Sequence, residues 1–303
     1  MRQQLLTTLF VISLLASACA SLPRDPAPGG GLPVVATFSV VADLVRRVGG
    51  EHVSVTSLVG PGVDAHTFNP TPADGAVLAE ARLVFENGAG FEGWLDDLYA
   101  SADSSAARIE LATGVVLLEA GAGERDPHIW HDVANAITMV GSVRDALITA
   151  DPAHRAAYEA NAEAYTAELQ VLDAWIVEQV QTLPAERRKL VTTHDTFAYF
   201  AARYGFQVLG TVLPTTTEGA SPSAQELAAL VEDVRAAGVP AVFAENVSSN
   251  SLINQVADEA GVEVVASLYT DALGPAGSDA ETYVDMMRQN VTTIVSSLGA
   301  EAA

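Results

Sequence analysis

Cysteine and basic residues are scarce in this chain of 303 residues, and each shortage excludes a structural or functional class. The only cysteine, Cys19, cannot form a disulfide within the chain, so its position needs another explanation. Lysine and arginine number 15 against 38 aspartate and glutamate residues, which gives a net charge of −23. We therefore expect no nucleic-acid partner, because binding phosphates needs a basic surface.

Long apolar segments are also few, and the one at the N-terminus predicts export from the cytoplasm. Residues 5–15 are apolar and follow Arg2, but they are too few to span a bilayer, so residues 1–18 are interpreted as a signal peptide. The sequence Ala16-Ser17-Ala18-Cys19 is similar to a bacterial lipobox, except that leucine is usual where Ala16 stands. We expect Cys19 to carry the lipid anchor; an ordinary signal peptide with a chance cysteine is the alternative. Residues 19–31, rich in proline and glycine, then form a flexible tether.

Strand-like and helix-like segments alternate in two stretches of the chain, residues 32–150 and 187–303, which predicts an α/β fold. In the first stretch the strand-like segments are residues 33–41, 53–59, 83–85 and 115–118. In the second they are residues 189–193, 207–213, 241–245 and 262–268. We expect each stretch to form one lobe, with a roughly four-stranded, mainly parallel sheet flanked by helices.

A long helix is predicted between the two stretches. Asp151 is a suitable N-cap, and apolar residues then recur at spacings of three and four from Tyr158 to Ile176. About 31 helical residues would extend about 46 Å, which is longer than one small domain needs. We therefore expect residues 151–186 to be one rigid helix along both lobes; two helices broken near Leu172 are the alternative.

Four residues able to bind a transition metal are spread far apart along the chain. They are His66, His128, His194 and Asp271. Each lies at the end of a strand-like segment or in the loop after it, where open α/β folds build their sites. Three imidazoles and one carboxylate make a complete ligand set for a metal such as zinc. The pattern predicts a metal held between the two halves of the molecule.

The segments around these residues resemble the landmark segments of one protein family. The segments are His66-Thr67-Phe68-Asn69-Pro70, Asp126-Pro127-His128-Ile129-Trp130, Thr193 to Phe200 and Leu268 to Gly274. They are similar to those of the cluster A-I solute-binding proteins, the zinc- and manganese-binding lipoproteins of bacterial ABC importers. The resemblance runs from about residue 32 to the C-terminus and implies two lobes joined by one long helix. It also implies a metal in the cleft, held by His66, His128, His194 and Asp271, and delivery to a membrane permease with its ATPase. We expect a monomer outside the cytoplasm.

The resemblance also bears on which metal is carried. Manganese-selective members commonly have a glutamate where this chain has His194, and three nitrogen donors favour zinc over manganese. We expect one zinc ion per chain as the transported ligand, with Mn²⁺ or Fe²⁺ as alternatives if the carboxylate binds through both oxygens. Zinc importers often have a long His-rich loop before the second histidine motif. The corresponding residues 119–125 contain no histidine, so we expect no zinc-capturing role for them.

Three other residues near the candidate ligands have predicted roles. Glu245 ends a strand-like segment and is expected to orient a ligand histidine. His131 is expected to lie behind the ligands or to face solvent, with an alternative ligand role left open. Asp195 is expected to cap the helix that follows His194.

Two other functions compete with metal transport. A secreted zinc hydrolase would use Glu245 as its general base, but the chain has no His-Glu-x-x-His and no Gly-x-Ser-x-Gly segment. Four protein ligands would also leave no metal position for a substrate, so we expect no enzyme. A surface adhesin with a structural metal is the other alternative, and it differs from a carrier in that it would not release the ion.

Overall fold

The computed structural model describes residues 30–120, 123–213 and 222–300, which contain two four-stranded parallel sheets. The first sheet consists of β1 (Leu32–Phe38), β2 (Val53–Val59), β3 (Leu83–Glu86) and β4 (Ala107–Glu110), in the order β2-β1-β3-β4. The second consists of β5 (Lys189–His194), β6 (Gln207–Leu213), β7 (Ala241–Glu245) and β8 (Glu263–Leu268), in the order β6-β5-β7-β8. The predicted α/β architecture is confirmed. The predicted signal peptide, Cys19 and most of the predicted tether lie outside the described residues.

Helices flank both sheets, and local sequence signals set several of their ends. The α-helices in the described ranges are α1 (Ser39–Gly49), α2 (Pro72–Glu80), α3 (Leu95–Ser101), α4 (Val133–Ala150), α5 (Arg155–Gln181), α6 (Ala198–Tyr204), α7 (Ala224–Ala237), α8 (Ser251–Ala260) and α9 (Tyr283–Gly299). Ser223 and Glu226 form a capping box at the start of α7, and Gly238 ends that helix in the left-handed conformation. None of the helices in this part of the chain is long and apolar enough to cross a bilayer.

The fourth strand of the first sheet is β4 rather than residues 115–118, so that prediction is wrong. β4 is a short edge strand with mostly exposed side chains, and its Arg108 pairs with Glu86 of β3 at 2.6 Å. A charged, exposed strand of four residues lacks the apolar pattern of a buried one. Residues 115–118 form a loop instead, and most of their apolar side chains pack on the core without joining the sheet.

The connecting helix α5 is continuous over 27 residues, about 40 Å, so the alternative of two helices broken near Leu172 is wrong. A short 3-10 turn, Pro152–His154, precedes α5, so the α-helix begins later than predicted and Asp151 does not cap it. The predicted apolar stripe from Tyr158 to Ile176 is buried. It packs α5 against α1, α4, α6 and α9, which belong to both halves of the chain.

One buried apolar cluster connects the two sheets through α5. It includes Phe38 at the end of β1, Leu172 of α5 and Phe243 of β7. The halves therefore share a continuous core rather than touching only at their surfaces. The loops that follow β2 and β8, the segment that precedes α4 and the end of β5 meet beside this core, and all the candidate ligands lie there.

Candidate metal centre

Three histidines and one aspartate form a buried cluster between the two halves. His66, His128, His194 and Asp271 are at most 7% exposed, and one ligand atom from each lies within 4.8 Å of the others. His66 Nε2 is 3.2 Å from His128 Nε2 and 3.6 Å from Asp271 Oδ2. His194 Nε2 is 3.1 Å from Asp271 Oδ2, and His128 Nε2 is 3.6 Å from Asp271 Oδ1. The fold thus brings together all four residues that the sequence singled out.

His66 is placed by the loop that follows β2. The carboxylate of Asp64 accepts a hydrogen bond from the backbone N–H of His66 at 2.8 Å, which fixes the local turn. The His66 ring packs edge-on against Phe91, with ring centroids 4.5 Å apart. Burial is the main cause that lowers the pKa of His66 to about 4. The ring is therefore neutral near pH 7, the form in which imidazole binds a metal.

His128 is held by the aspartate two residues before it, a contact that the sequence analysis did not predict. Asp126 Oδ1 accepts hydrogen bonds from the backbone N–H of His128 at 2.9 Å and from its ring Nδ1 at 2.8 Å. This contact orients the ring so that Nε2 faces the other ligands. The carbonyl of Pro127 accepts from Asn87 Nδ2 at 2.8 Å, which ties the turn to the end of β3. The Asp-x-His pattern, typical of an Asx turn, is the signal that would have identified Asp126.

Glu245 contacts His194 from the neighbouring strand, where it was expected to orient a ligand histidine. His194 is the last residue of β5 and Glu245 the last of β7, and these parallel strands pair directly. Glu245 Oε1 accepts from the backbone N–H of His194 at 2.8 Å, and Oε2 contacts the ring Nδ1. Burial alone would lower the pKa of His194, but the carboxylates of Glu245 and Asp271 raise it well above its usual value.

Asp271 faces the histidines with both of its carboxylate oxygens. The residue is fully buried in the loop after β8, and the indole N–H of Trp130 donates to the carbonyl of the preceding Thr270 at 3.0 Å. Burial alone would raise the pKa of Asp271, but the three histidines hold it well below its usual range. An ionised carboxylate among three imidazoles is a donor set that a divalent cation would complete.

Two other residues near the cluster had predicted roles. His131 is fully buried in the 3-10 turn Ile129–His131 that precedes α4, so of its two predicted placements the solvent-facing one is wrong and the one behind the ligands stays a prediction. Its ring lies 4.7 Å from that of Phe197, and neither ring nitrogen has a hydrogen-bond partner. His131 is not a member of the ligand cluster. Asp195 does not cap α6, because that helix begins only at Ala198 and its N-cap residue is Phe197.

Comparison with known proteins identifies the family. The model of the family described as the periplasmic component A of a zinc-uptake complex matches residues 34–297, nearly the whole chain. The chain belongs to this family. Its members are substrate-binding components of ABC importers rather than enzymes, so the expectation that the chain is not an enzyme is confirmed.

Individual relatives share the length of the chain as well as its sequence. The manganese-binding lipoprotein MntA of Halalkalibacterium halodurans is 36% identical over 292 residues, which cover 96% of each protein. The iron-binding protein YfeA of Yersinia pestis is 30% identical over 303 residues, covering 99% of this chain and 97% of the relative. Among solved structures, the periplasmic zinc-binding protein TroA of Treponema pallidum matches with a TM-score of 0.83 at 31% identity. That match covers 89% of this chain and 99% of TroA.

The same relatives leave the choice of metal open. By name they bind manganese, iron or zinc, so they do not confirm the predicted preference for zinc. They do confirm the family resemblance and the fold. The metal preference of a site with three histidines and one aspartate therefore has to be inferred from its own geometry and donor atoms.

Proposed function

We propose that this protein binds one divalent transition-metal ion through His66, His128, His194 and Asp271 and delivers it to an ABC importer. The observation that supports this most directly is the spacing of the donor atoms. In a tetrahedral zinc site with bonds of about 2.0 Å, neighbouring ligand atoms lie about 3.3 Å apart. Four of the separations between these donors are 3.1, 3.2, 3.6 and 3.6 Å, the last of them to the second Asp271 oxygen, and the set lies within 4.8 Å. Several of the donors are thus already close to the spacing that an ion requires.

We propose zinc as the metal that the site binds most tightly. Three imidazole nitrogens, either neutral or able to lose their proton when the metal binds, and one carboxylate suit zinc. Affinity also rises from manganese to zinc in the usual order for divalent metals. Manganese is the second candidate, because both Asp271 oxygens face the site and a carboxylate bound through both would suit a larger, higher-coordinate ion. The manganese-binding relative at 36% identity supports this second candidate.

The proposed carrier works outside the cytoplasm. The family is described as periplasmic, and the manganese-binding relative is named a lipoprotein. We propose that residues 1–18 are removed, that a lipid on Cys19 holds the protein at the membrane as a monomer, and that the partners are a permease and its ATPase. Residues 32–150 and 187–303 would be the two lobes, linked by residues 151–186. Replacing Cys19 with alanine should move the protein from the membrane fraction to the soluble fraction of the cell.

Competitive metal binding tests the proposed function. The purified protein is titrated calorimetrically with Zn²⁺ and Mn²⁺, and the metal that co-purifies is measured by elemental analysis. One tightly bound zinc per chain that excess manganese does not displace supports the zinc carrier, whereas retained manganese would support the second candidate. A protein that binds no stoichiometric metal would contradict the proposal.

Release separates a carrier from an adhesin with a structural metal. A carrier must give up its ion, so we expect a strong chelator to remove the metal while the protein stays folded by circular dichroism. Unfolding on metal removal would instead support the structural role.

A further inference from the structure

A tyrosine hydroxyl from the second half of the chain forms hydrogen bonds with the segment that precedes His128. Tyr199 lies on α6 and is 4% exposed. Its hydroxyl donates a hydrogen bond to the backbone carbonyl of Asp126 at 2.8 Å and accepts one from the backbone N–H of Leu118 at 3.0 Å. Both hydrogen-bonding roles of the hydroxyl are therefore used, and both partners belong to the first half.

The two backbone partners of Tyr199 are themselves paired. The N–H of Asp126 donates to the carbonyl of Leu118 at 3.0 Å, and Glu119 and Arg125 form an antiparallel bridge just beyond. The tyrosine hydroxyl thus closes the end of a two-stranded segment in the first half. A phenylalanine at this position would leave a partly buried N–H and a buried carbonyl without that partner, which costs free energy.

A short series of contacts leads from this hydroxyl to a proposed ligand in each half. Asp126 accepts from the ring Nδ1 of His128 through its side chain, so the residue held by Tyr199 is the one that orients His128. On the other side, α6 begins four residues after His194, which ends β5. Tyr199 therefore joins the segment of His194 to the turn of His128.

Other hydrogen bonds between the halves reach the loop of Asp271 or the carbonyl of Trp130, to which the Tyr283 hydroxyl donates at 2.7 Å. Trp130 Nε1 donates to the carbonyl of Thr270, and the backbone N–H of Leu273 donates to the hydroxyl of Ser39 at 2.9 Å. Both fix the loop of Asp271 against the first half. The hydroxyl of Tyr199 is the contact that reaches the support of His128 from the His194 segment.

We infer that Tyr199 is a positioning residue that holds His128 and His194 in register across the two halves and thereby slows metal release. The inference rests on the proposed metal-binding function and adds a residue outside the ligand set. If the contact favours the bound arrangement of the ligands, separating the halves to release the ion requires breaking it. With an unchanged association rate, slower release means a higher metal affinity. Linkage then requires the bound metal to stabilise the contact by the factor by which the contact raises that affinity.

Zinc release from the full-length protein tests this role. Zinc-loaded wild type and Tyr199→Phe are mixed with excess chelator, and the release rate is followed by stopped flow. We expect release to be about tenfold faster in the variant, the effect of one lost net hydrogen bond or slightly more. Tyr204→Phe is the matched control, because it also removes a tyrosine hydroxyl from α6. That hydroxyl donates to Asp173 of α5 at 2.9 Å and does not contact the segment of His128. Its release rate should stay within about twofold of wild type.

A double-mutant cycle distinguishes positioning of His128 from general loosening of the fold. In an Asp126→Ala background, which keeps all four proposed ligands, adding Tyr199→Phe should no longer change the release rate, because the side-chain contact through which Tyr199 acts on His128 is gone. Acceleration that persists in that background, or an unchanged rate in Tyr199→Phe itself, would overturn the inference while the metal-binding function stands. Wild-type protein that binds no zinc would instead overturn the proposed function.

Hydrogen exchange provides a test that needs no variant at position 199. The Leu118 amide donates to the Tyr199 hydroxyl, so its exchange reports directly on the contact. We expect this amide to exchange about tenfold more slowly in the zinc-loaded protein than in the metal-free protein, as reciprocity requires. Equal exchange rates in the two states would overturn the inference even if Tyr199→Phe failed to fold.

Discussion

Glu245 contacts His194 at two points, accepting from its backbone N–H at 2.8 Å through Oε1 and meeting its ring Nδ1 through Oε2. The two contacts fix both the position of the residue and the orientation of its ring. With the Nδ1 side occupied by a carboxylate, Nε2 is the atom left to face Asp271, at 3.1 Å. Supporting residues of this kind fix the ring orientation of the ligand histidine and raise its basicity.

Replacing Glu245 with glutamine should weaken zinc binding about 10- to 100-fold. The glutamine amide has one acceptor and one donor side, so it cannot accept from both the backbone N–H and the ring N–H of His194. If its NH₂ group faces Nδ1, the ring proton is shifted to Nε2, the atom proposed to bind the metal. Affinity is measured by competition with a chelator. Glu263→Gln, at an exposed position at the start of β8, is the control and should bind zinc like wild type.

Replacing Asp271 with alanine should abolish metal retention during purification, a larger loss than the ~10–100-fold effect of a supporting residue. Asp271 supplies the only carboxylate of the cluster and faces all three histidines. The exposed Asp279 offers a matched control, since Asp279→Ala removes the same charge away from the site. Elemental analysis of both variants checks the prediction, and stoichiometric zinc in Asp271→Ala would contradict the proposed ligand set.

The sequence predicted the second sheet well because its strands are apolar, β-branched and bounded by helix signals. It failed for β4, where Arg108 and Glu110 lie on an exposed edge strand held partly by the ion pair to Glu86. Such a strand carries little hydrophobic periodicity, whereas the apolar loop at 115–118 carries more. Edge strands and buried loops differ in tertiary surroundings, which a single sequence does not contain.

The candidate site shows the same division between local and tertiary information. The four clustered residues were recognisable because each has ligand chemistry and follows a predicted strand or loop. The role of Asp126 depends on the turn around Pro127, and that of Tyr199 on α6 lying against the other half. The burial of His131 likewise depends on Phe197 from the second half. Contacts between distant parts of the chain decide these roles, and residue type alone does not.

His131 should be replaceable by phenylalanine with little effect on zinc affinity. Its ring is fully buried beside Phe197, and burial lowers its pKa to about 3, so the imidazole is neutral. Both ring nitrogens lack partners, and an aromatic ring without polar atoms avoids that cost. We expect zinc affinity within about twofold of wild type and an equal or higher melting temperature. His128→Phe is the contrasting variant and should lose the metal. A loss in His131→Phe as large as that in His128→Phe would show that His131 is part of the metal site.

Ionisation of the buried Glu92 should lower the stability of the metal-free protein as the pH rises from about 4.5 to about 7. Burial raises the pKa of this carboxyl from 4.5 to about 7, despite hydrogen bonds from Thr37, Asn87 and Gly88. The folded state therefore holds a proton that the unfolded state releases, so the stabilisation is complete below 4.5 and is lost as the pH rises through 7. A shift of this size corresponds to about 3 kcal/mol at most.

Glutamine at position 92 removes the titration and tests this prediction. Urea unfolding of the metal-free protein is measured at pH 5 and pH 8 for wild type, Glu92→Gln and the exposed Glu51→Gln. The unfolding free energy should fall between pH 5 and pH 8 in wild type and in Glu51→Gln. The part of this fall that comes from Glu92 should disappear only in Glu92→Gln. The variant loses one hydrogen-bond acceptor at every pH, so the pH dependence and not the absolute stability is the quantity compared. An unchanged pH dependence would mean that Glu92 is ionised in the folded protein.

Metal binding should change the shape of the molecule only slightly. The connecting helix α5 is unbroken over 27 residues and packs against α1 and α4 of the first half and α6 and α9 of the second. Bending it would disrupt the buried core that the two halves share, so the motion available is a small shift of packed elements rather than a wide hinge. Small-angle scattering of metal-free and zinc-loaded protein should give radii of gyration within about 1 Å of each other. A difference of several ångströms would mean that α5 bends or that the halves separate during release, and hydrogen exchange along α5 would then show which of the two occurs.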